Sequence, residues 1–462
     1  MTRFVLCSCM ALVAALALAP ASAATPDAAS PSTNVPQFLA GRLPDESGPL
    51  PPDRWSASEN VAWKVDVPGL AWSSPIVWDD RVYLTTCINK GKERPPRKGL
   101  YLEDVDANKY PKPKDEHEWR VMCYDLNSGE KLWDQLAHAA IPAKPHHIKN
   151  TLASETPATD GERIYAYFGN VGLFVYDMDG KPLWAREFEP RSTQYGWGTS
   201  ISPILHEDRL YIVNDNEEES YVLVLDKVTG EEKMRIDREG EKTNYATPFI
   251  WENDQRTELV TSGIGWARSY DLDGNLLWKI KGKSILAIPT PFEYDGLLYL
   301  IAGHVLWGEN PMYAIRPGAS GDISPAKGES ANDFVVWSHE KSGPYHPTPI
   351  IYDGLLYVLY DRGFMVAFDP KTGEEVYSRK RIPNGRAFTS SPWAYGGKLF
   401  CLNEDGVTFV IKAGSDFEVL HKNELAEDDM GMATPVVVGD KRLIRTAKRL
   451  YCISPTSVAA KE

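Results

Sequence analysis

The chain has 462 residues, and its 50 Lys and Arg against 64 Asp and Glu leave a net charge of −14. That acidity argues against a nucleic-acid partner, whose phosphates need clustered cations. With 43% hydrophobic residues and six cysteines, the composition fits a soluble globular protein and not a disulfide scaffold.

Met1–Arg3 supplies a positive start, Phe4–Pro20 is mostly apolar, and Ala21-Ser22-Ala23 is a small-residue cleavage site. Residues 1–23 therefore read as a secretory signal peptide, and the mature chain as exported, periplasmic or extracellular. The apolar run falls short of the roughly 20 residues that a spanning helix needs, and no other segment approaches that length. Cys7 and Cys9 lie too early for a lipid-attachment cysteine, so Cys87, Cys123, Cys401 and Cys452 remain. Residues 24–57, rich in Pro, Ala and Ser at the start, read as a flexible leader. An orphan apolar strand, NVAWKVDVP at 60–68, follows.

From there a unit recurs. Ser-Pro or Thr-Pro precedes an apolar stretch at Pro75, Pro157, Pro203, Pro248, Pro291, Pro349, Pro392 and Pro435. The spacings are 82, 46, 45, 43, 58, 43 and 43 residues. A period of about 40–45 residues with several short strands is a propeller signature. Each unit continues with a tight turn, an apolar–aromatic strand such as RIYAYF or LLYVLY, and a strand ending in Asp. A Gly turn and often Trp close it, as in YDMDGKPLW. The reading is an all-β, eight-bladed propeller over 58–456, with four strands per blade, A to D from the centre outward, and a short tail at 457–462. The last unit lacks an outer strand, which the orphan 60–68 supplies, closing the ring and removing an open edge. Two insertions depart from the period: 88–120 between strands B and C of blade one, a lid or docking arm, and 319–333 in blade five, a plain loop. Because the first starts beside Cys87 and ends near Cys123 on adjacent strands, a Cys87–Cys123 disulfide would pin its base.

The unit resembles the PQQ-type propeller repeat, whose hallmark is an Asp-x-x-Thr-Gly turn followed by Trp. Asp226–Gly230 and Asp369–Gly373 keep the turn, and Trp133, Trp184 and Trp278 keep the indole. The resemblance implies either a quinoprotein alcohol dehydrogenase, holding pyrroloquinoline quinone and calcium, or a non-enzymatic BamB-like scaffold of outer-membrane assembly. The mature chain lacks the adjacent Cys-Cys pair and the haem-attachment motif of the dehydrogenases and is shorter, so quinone and calcium are disfavoured and no cofactor is assigned. A missing lipid-attachment cysteine and the insertions separate it from BamB itself.

Propeller geometry puts the D-to-A and B-to-C loops on one face, around the central funnel where propellers usually bind ligands. The candidates there are His146, His147, Lys149, Asn150, Glu155, Trp197, Asn244, Tyr345, His346 and Arg386. Immediately before the Ser/Thr-Pro pairs stand Ser73, Glu155, Ile201, Ala246, Pro289, Pro347, Ser390 and Ala433, so Glu155 is the one charge in that ring. A carboxylate near the axis suits acid–base work, a cation or a hydroxyl-rich ligand. The readings in competition are pairing with Lys149 or simple solvation. His146 and His147 point differently in an extended loop and make a poor metal pair. Trp197, flanked by glycines, presents an indole for stacking or packs between blades. The run Asp215–Glu219 reads as a hairpin tip, and DLDG and DMDG coincide with C-to-D turns. The whole suggests a monomeric, exported binding or scaffolding module whose funnel face takes a protein or glycan-like ligand. The alternative is an enzyme using the funnel, a divergent quinoprotein or a carbohydrate-active protein.

Overall fold

In a computed structural model, the described residues are Met1 and 34–455, except 93–94, 100–105, 110–111, 283 and 305–307. The expected signal peptide, the first part of the leader and the tail lie outside them. Eight sheets form the eight blades, seven antiparallel with four strands and one of five whose added edge strand is parallel. Blade one shows the plan: Ile76–Trp78, Arg81–Asn89, His117–Asp125 and Lys131–Ala140, paired in that order. Blade eight is built from Val436–Val438, Lys441–Arg445 and Arg449–Ile453, and its outer strand is Val61–Asp66. Val61–Asp66 runs antiparallel to Arg449–Ile453, with Trp63 opposite Cys452, so the N-terminal strand closes the ring as expected.

The Ser/Thr-Pro repeat acquires a physical reason. In six of the eight blades the backbone N–H of the Ser or Thr donates to the hydroxyl of the equivalent residue in the next blade. Ser74 donates to Thr156 Oγ1 at 2.9 Å, Thr156 to Ser202 Oγ at 3.0 Å and Ser202 to Thr247 Oγ1 at 3.1 Å. Thr290 donates to Thr348 Oγ1 at 3.0 Å, Thr348 to Ser391 Oγ at 2.9 Å and Ser391 to Thr434 Oγ1 at 3.0 Å. The proline that follows holds its predecessor extended and brings no N–H to the inner edge, where none would be paired. The Gly and Trp positions lock the outside. Gly180 and Gly373 sit at φ +84° and +74°, and a Cβ on either would come within 2.7 Å of Trp133 or Trp337 of the preceding blade. Those indoles donate to Met178 O and Pro370 O across the same junctions.

The leader requires correction: from Val35 onward the described part is packed, not flexible. Val35 pairs with Val77, Thr159 N donates to Pro36 O, Val437 N to Gly41 O and Ala394 N to Arg42 O. These contacts tie the segment to the far halves of the innermost strands of blades one, two, eight and seven. Arg42 is buried and donates to the carbonyls of Thr348 and Pro349 at 3.0 and 3.2 Å; burial lowers its pKa to about 10. Further on, Trp55 is buried with the Arg442 guanidinium 4.2 Å from its ring, one of four aromatic rings around that cation. Apolar side chains hidden in a Pro-rich stretch are what composition alone overlooked.

The insertions differ too. Strands B and C of blade one continue in register to Asn89 and back from His117, so the excursion is 90–116. Cys87 faces Trp119 and Cys123 faces Tyr83. Four residues out of register separates the two cysteines by about 13 Å, beyond the roughly 7 Å that a disulfide tolerates. The expected bridge is therefore excluded. In 319–333, Gly321–Asp322 is not a plain loop but a fifth strand, parallel to Trp278 and Lys279 on the edge of blade four.

Deleting Asn60–Pro68 removes the closing strand and the buried Trp63, and is expected to lower the melting temperature by on the order of 10 °C. Thermal denaturation of the truncated and full chains checks this, and equal melts would contradict closure by this strand.

Candidate functional site

Strand alternation decides which residues face the axis. Three positions before each repeat proline stand Trp72, Ser154, Ser200, Tyr245, Ile288, His346, Thr389 and Met432. All eight line one central cavity of about 360 Å³. Glu155 and its equivalents, two before the proline, point the other way, as the period of two requires. The hydroxyls of Ser202, Thr348, Ser391 and Thr434 line the same cavity, and Phe38 of the N-terminal segment lines it from below. Trp197, exposed Tyr195 and Tyr345 complete an aromatic wall, with Ile285 and Leu286 opposite in chain order.

Two bases in this wall, Lys149 and His346, are each fixed by an acid one layer back. Lys149 Nζ lies 2.5 Å from Glu404 Oε1 and 2.8 Å from Gly99 O. Glu404 is fully buried and also accepts from Thr389 Oγ1 at 3.0 Å and from Gly99 N at 2.7 Å. Gly99 belongs to the first insertion, whose described part thus reaches the rim of blade seven. His346 Nδ1 bonds Asp361 Oδ1, while Asp361 Oδ2 accepts from the backbone N–H of Tyr345 at 3.1 Å. Asp361 is buried, so its carboxylate holds Nδ1 as the donor and leaves Nε2 of the neutral ring as an acceptor. The His304 ring stands edge-on to Tyr345, 4.8 Å between centroids. Burial, with His346 beside it, holds His304 below the usual histidine range, against the pull of Asp361. Tyr245 Oη is buried without a hydrogen-bond partner among the described residues, and burial drives its pKa well up, so it remains an O–H donor.

Of the residues named from sequence, His147, Lys149, Asn150, Trp197, Tyr345 and His346 meet in this cavity. His147 stands edge-on to Trp197 at 6.0 Å, and Asn150 Nδ2 ties its loop to Thr199 O at 3.0 Å. The other four lie elsewhere. His146 lines a separate hollow with His117 and Asp115. Arg386 stands on the exposed rim beside Asp405. Asn244 is buried in a network in which Asp215 grips Arg238 through both oxygens at 2.7 and 2.8 Å. Glu155 is buried beside Gly169, whose N–H donates to Oε1 at 3.3 Å, while Oε2 has no partner among the described residues. Trp72, Tyr245, Phe38 and the role of Asp361 were missed. Counting three residues back from each proline instead of two would have found the first two.

A family model described as outer membrane protein assembly factor BamB matches residues 117–285 and 252–457. The chain belongs to this family of PQQ-repeat propellers. No curated protein sequence matches. Among solved structures, BamB from Moraxella catarrhalis is 11% identical with a TM-score of 0.51, over 80% of this chain and 98% of that one. The computationally designed Ika8 protein is 10% identical with a TM-score of 0.52, over 84% and 100%. A europium-containing methanol dehydrogenase is 11% identical with a TM-score of 0.44, over 90% and 96%. At these identities the likeness to the first two shows the propeller fold alone. The calcium-bound quinone implied by the resemblance to dehydrogenases does not fit the donor set here. No carboxylate is among the described residues lining the cavity, and no described cluster of three His, Cys, Asp or Glu could hold a metal.

Burial raises the Glu155 pKa above its ordinary 4.5, against weaker hydrogen bonds from Thr199 and the backbone. A raised folded pKa means stability fully present below the unfolded value and lost as pH climbs through the folded one. Glu155→Gln is therefore expected to gain on the wild type as pH rises from about 4.5, in urea midpoints measured against pH. A variant destabilised equally at every pH would contradict this.

Proposed function

We propose that the protein is an exported binding module that takes a hydroxyl-rich, glycan-like ligand into the funnel. One observation carries the reading: the eight inward residues converge on a single cavity with aromatic walls and a belt of Ser and Thr residues. Its volume lies in the range of small-molecule sites, at the lower end. Aromatic faces cover the apolar side of a sugar ring, and the hydroxyls exchange hydrogen bonds with its rim. Protein partners of such a module would engage the outer rim, where the first insertion and Arg386 lie. Export is supported by the sequence of residues 1–23.

Tryptophan fluorescence titrated with a panel of mono- and oligosaccharides tests this. A saturable change is expected with at least one of them, weakened about tenfold by Trp197→Ala and untouched by Arg386→Ala. No saturable response to any saccharide, or full affinity in Trp197→Ala, would contradict it.

A further inference from the structure

Several features were candidates for a second role. The hollow beneath the first insertion holds His146 and His117, but among the described residues no metal-competent cluster forms there. The crevice beside Trp119 and Phe188 shows nothing that would occupy it. The constellation around His346 carries more. Among the eight inward positions, His346 is the one histidine. Its Nδ1 is held by Asp361, and Asp361 is itself held by the main chain and screened from solvent. Nε2 has no partner among the described residues and belongs to a side chain that lines the cavity. Tyr245, on the same inward ring two blades away, supplies a buried O–H that likewise has no partner. A buried donor left unpaired in a folded protein calls for an explanation, and a ligand acceptor provides one.

We infer that the funnel is a hydrolytic site for small O-acyl esters, with His346 as general base, Asp361 as its positioning residue and Tyr245 as donor to the carbonyl oxygen. This rests on the reading that the funnel takes a hydroxyl-rich ligand, and names the acylated form of that ligand as substrate. A water adds through its oxygen to the acyl carbon while its proton passes to His346 Nε2. The electron pair of the carbonyl bond moves to oxygen, which the Tyr245 O–H stabilises. Collapse of the tetrahedral intermediate breaks the acyl–oxygen bond, and Nε2–H returns the proton to the departing alkoxide. The products are a carboxylic acid and an alcohol; nothing is oxidised or reduced. A neutral acyl group suits this cavity better than a phosphoryl group, because Lys149, the one Lys or Arg among its described lining residues, is already bound to Glu404.

The test is hydrolysis of p-nitrophenyl acetate and 6-O-acetylglucose by the full chain, with melting temperatures measured for each variant. Wild-type turnover is expected, falling about 100-fold or more in His346→Ala and recovering in part when imidazole is added. Asp361→Asn is expected to lower kcat with KM little changed and the melting temperature kept, whereas loss of fold would lower the melting temperature as well. Tyr245→Phe, the least disruptive change, is expected to lower kcat about 100-fold. Wild-type rates no higher than those of His346→Ala on both esters would overturn the inference. If saccharides still quench the tryptophans in that case, the binding reading stands and only the hydrolytic one falls; loss of both removes both.

Discussion

The funnel depends on one repeated hydrogen bond, from the N–H of a Ser or Thr in one blade to the hydroxyl of its counterpart in the next. It acts at the narrowest radius of the ring, where a small slip between blades would shift the register of every inward side chain. The Ser/Thr-Pro pair is suited to it, since the hydroxyl accepts, the N–H donates and the proline fixes the extended backbone. The described bonds fall into two arcs, blades one to four and blades five to eight. At the two junctions between arcs, Ser74 Oγ and Thr290 Oγ1 are buried without partners among the described residues. Each junction has another fastening. Between eight and one, the strand Val61–Asp66 and the segment from Val35 to Arg42 span the gap. Between four and five, Gly321–Asp322 crosses onto the edge of blade four, and Tyr245 N donates to Ala287 O. Trp278 at that junction turns inward to Glu258 instead of packing on a neighbouring glycine.

This arrangement explains what could be read from the sequence. The blades were legible because turn residues and the Ser/Thr-Pro pair recur at a fixed period, and closure because a strand was left over at one end and missing at the other. The site was legible only in part. Loop membership brought His147, Lys149, Trp197 and His346 to the right face, but the ring was counted one residue too close to the proline. In a strand that single step reverses the side, which is how Glu155 was assigned to the axis when it lies between blades. Asn244 and Arg386 sit on the right loops, yet one is consumed by the Asp215–Arg238 network and the other faces solvent. The packed leader was hidden because its few anchors, Val35, Phe38, Arg42 and Trp55, are spread through a stretch whose overall composition is that of a linker.

The charge pattern joins structure to function. A protein of net charge −14 lines its cavity with bases, phenols, hydroxyls and apolar groups, and keeps its acids one layer behind. Asp361 and Glu404 there serve to orient His346 and to hold Lys149, so the cavity presents fixed hydrogen-bonding groups instead of a negative surface. Such groups are set before a ligand arrives, which spares the ordering cost of binding. The N-terminal segment contributes from below through Phe38, so the same stretch that spans one weak junction also limits the depth of the cavity.

The most direct test of this account is amide hydrogen exchange on a Thr348→Val variant, which keeps the shape of the side chain and removes the hydroxyl that Thr290 N donates to. Leaving that buried N–H unpaired costs about 1–3 kcal/mol. The expected result is a loss of protection of roughly tenfold or more at Thr290, with Ser74, whose partner Thr156 lies in the other arc, unchanged. Equal protection of Thr290 in the variant and the wild type would show that the hydroxyl ring does not hold the blades, and would contradict the account at its base.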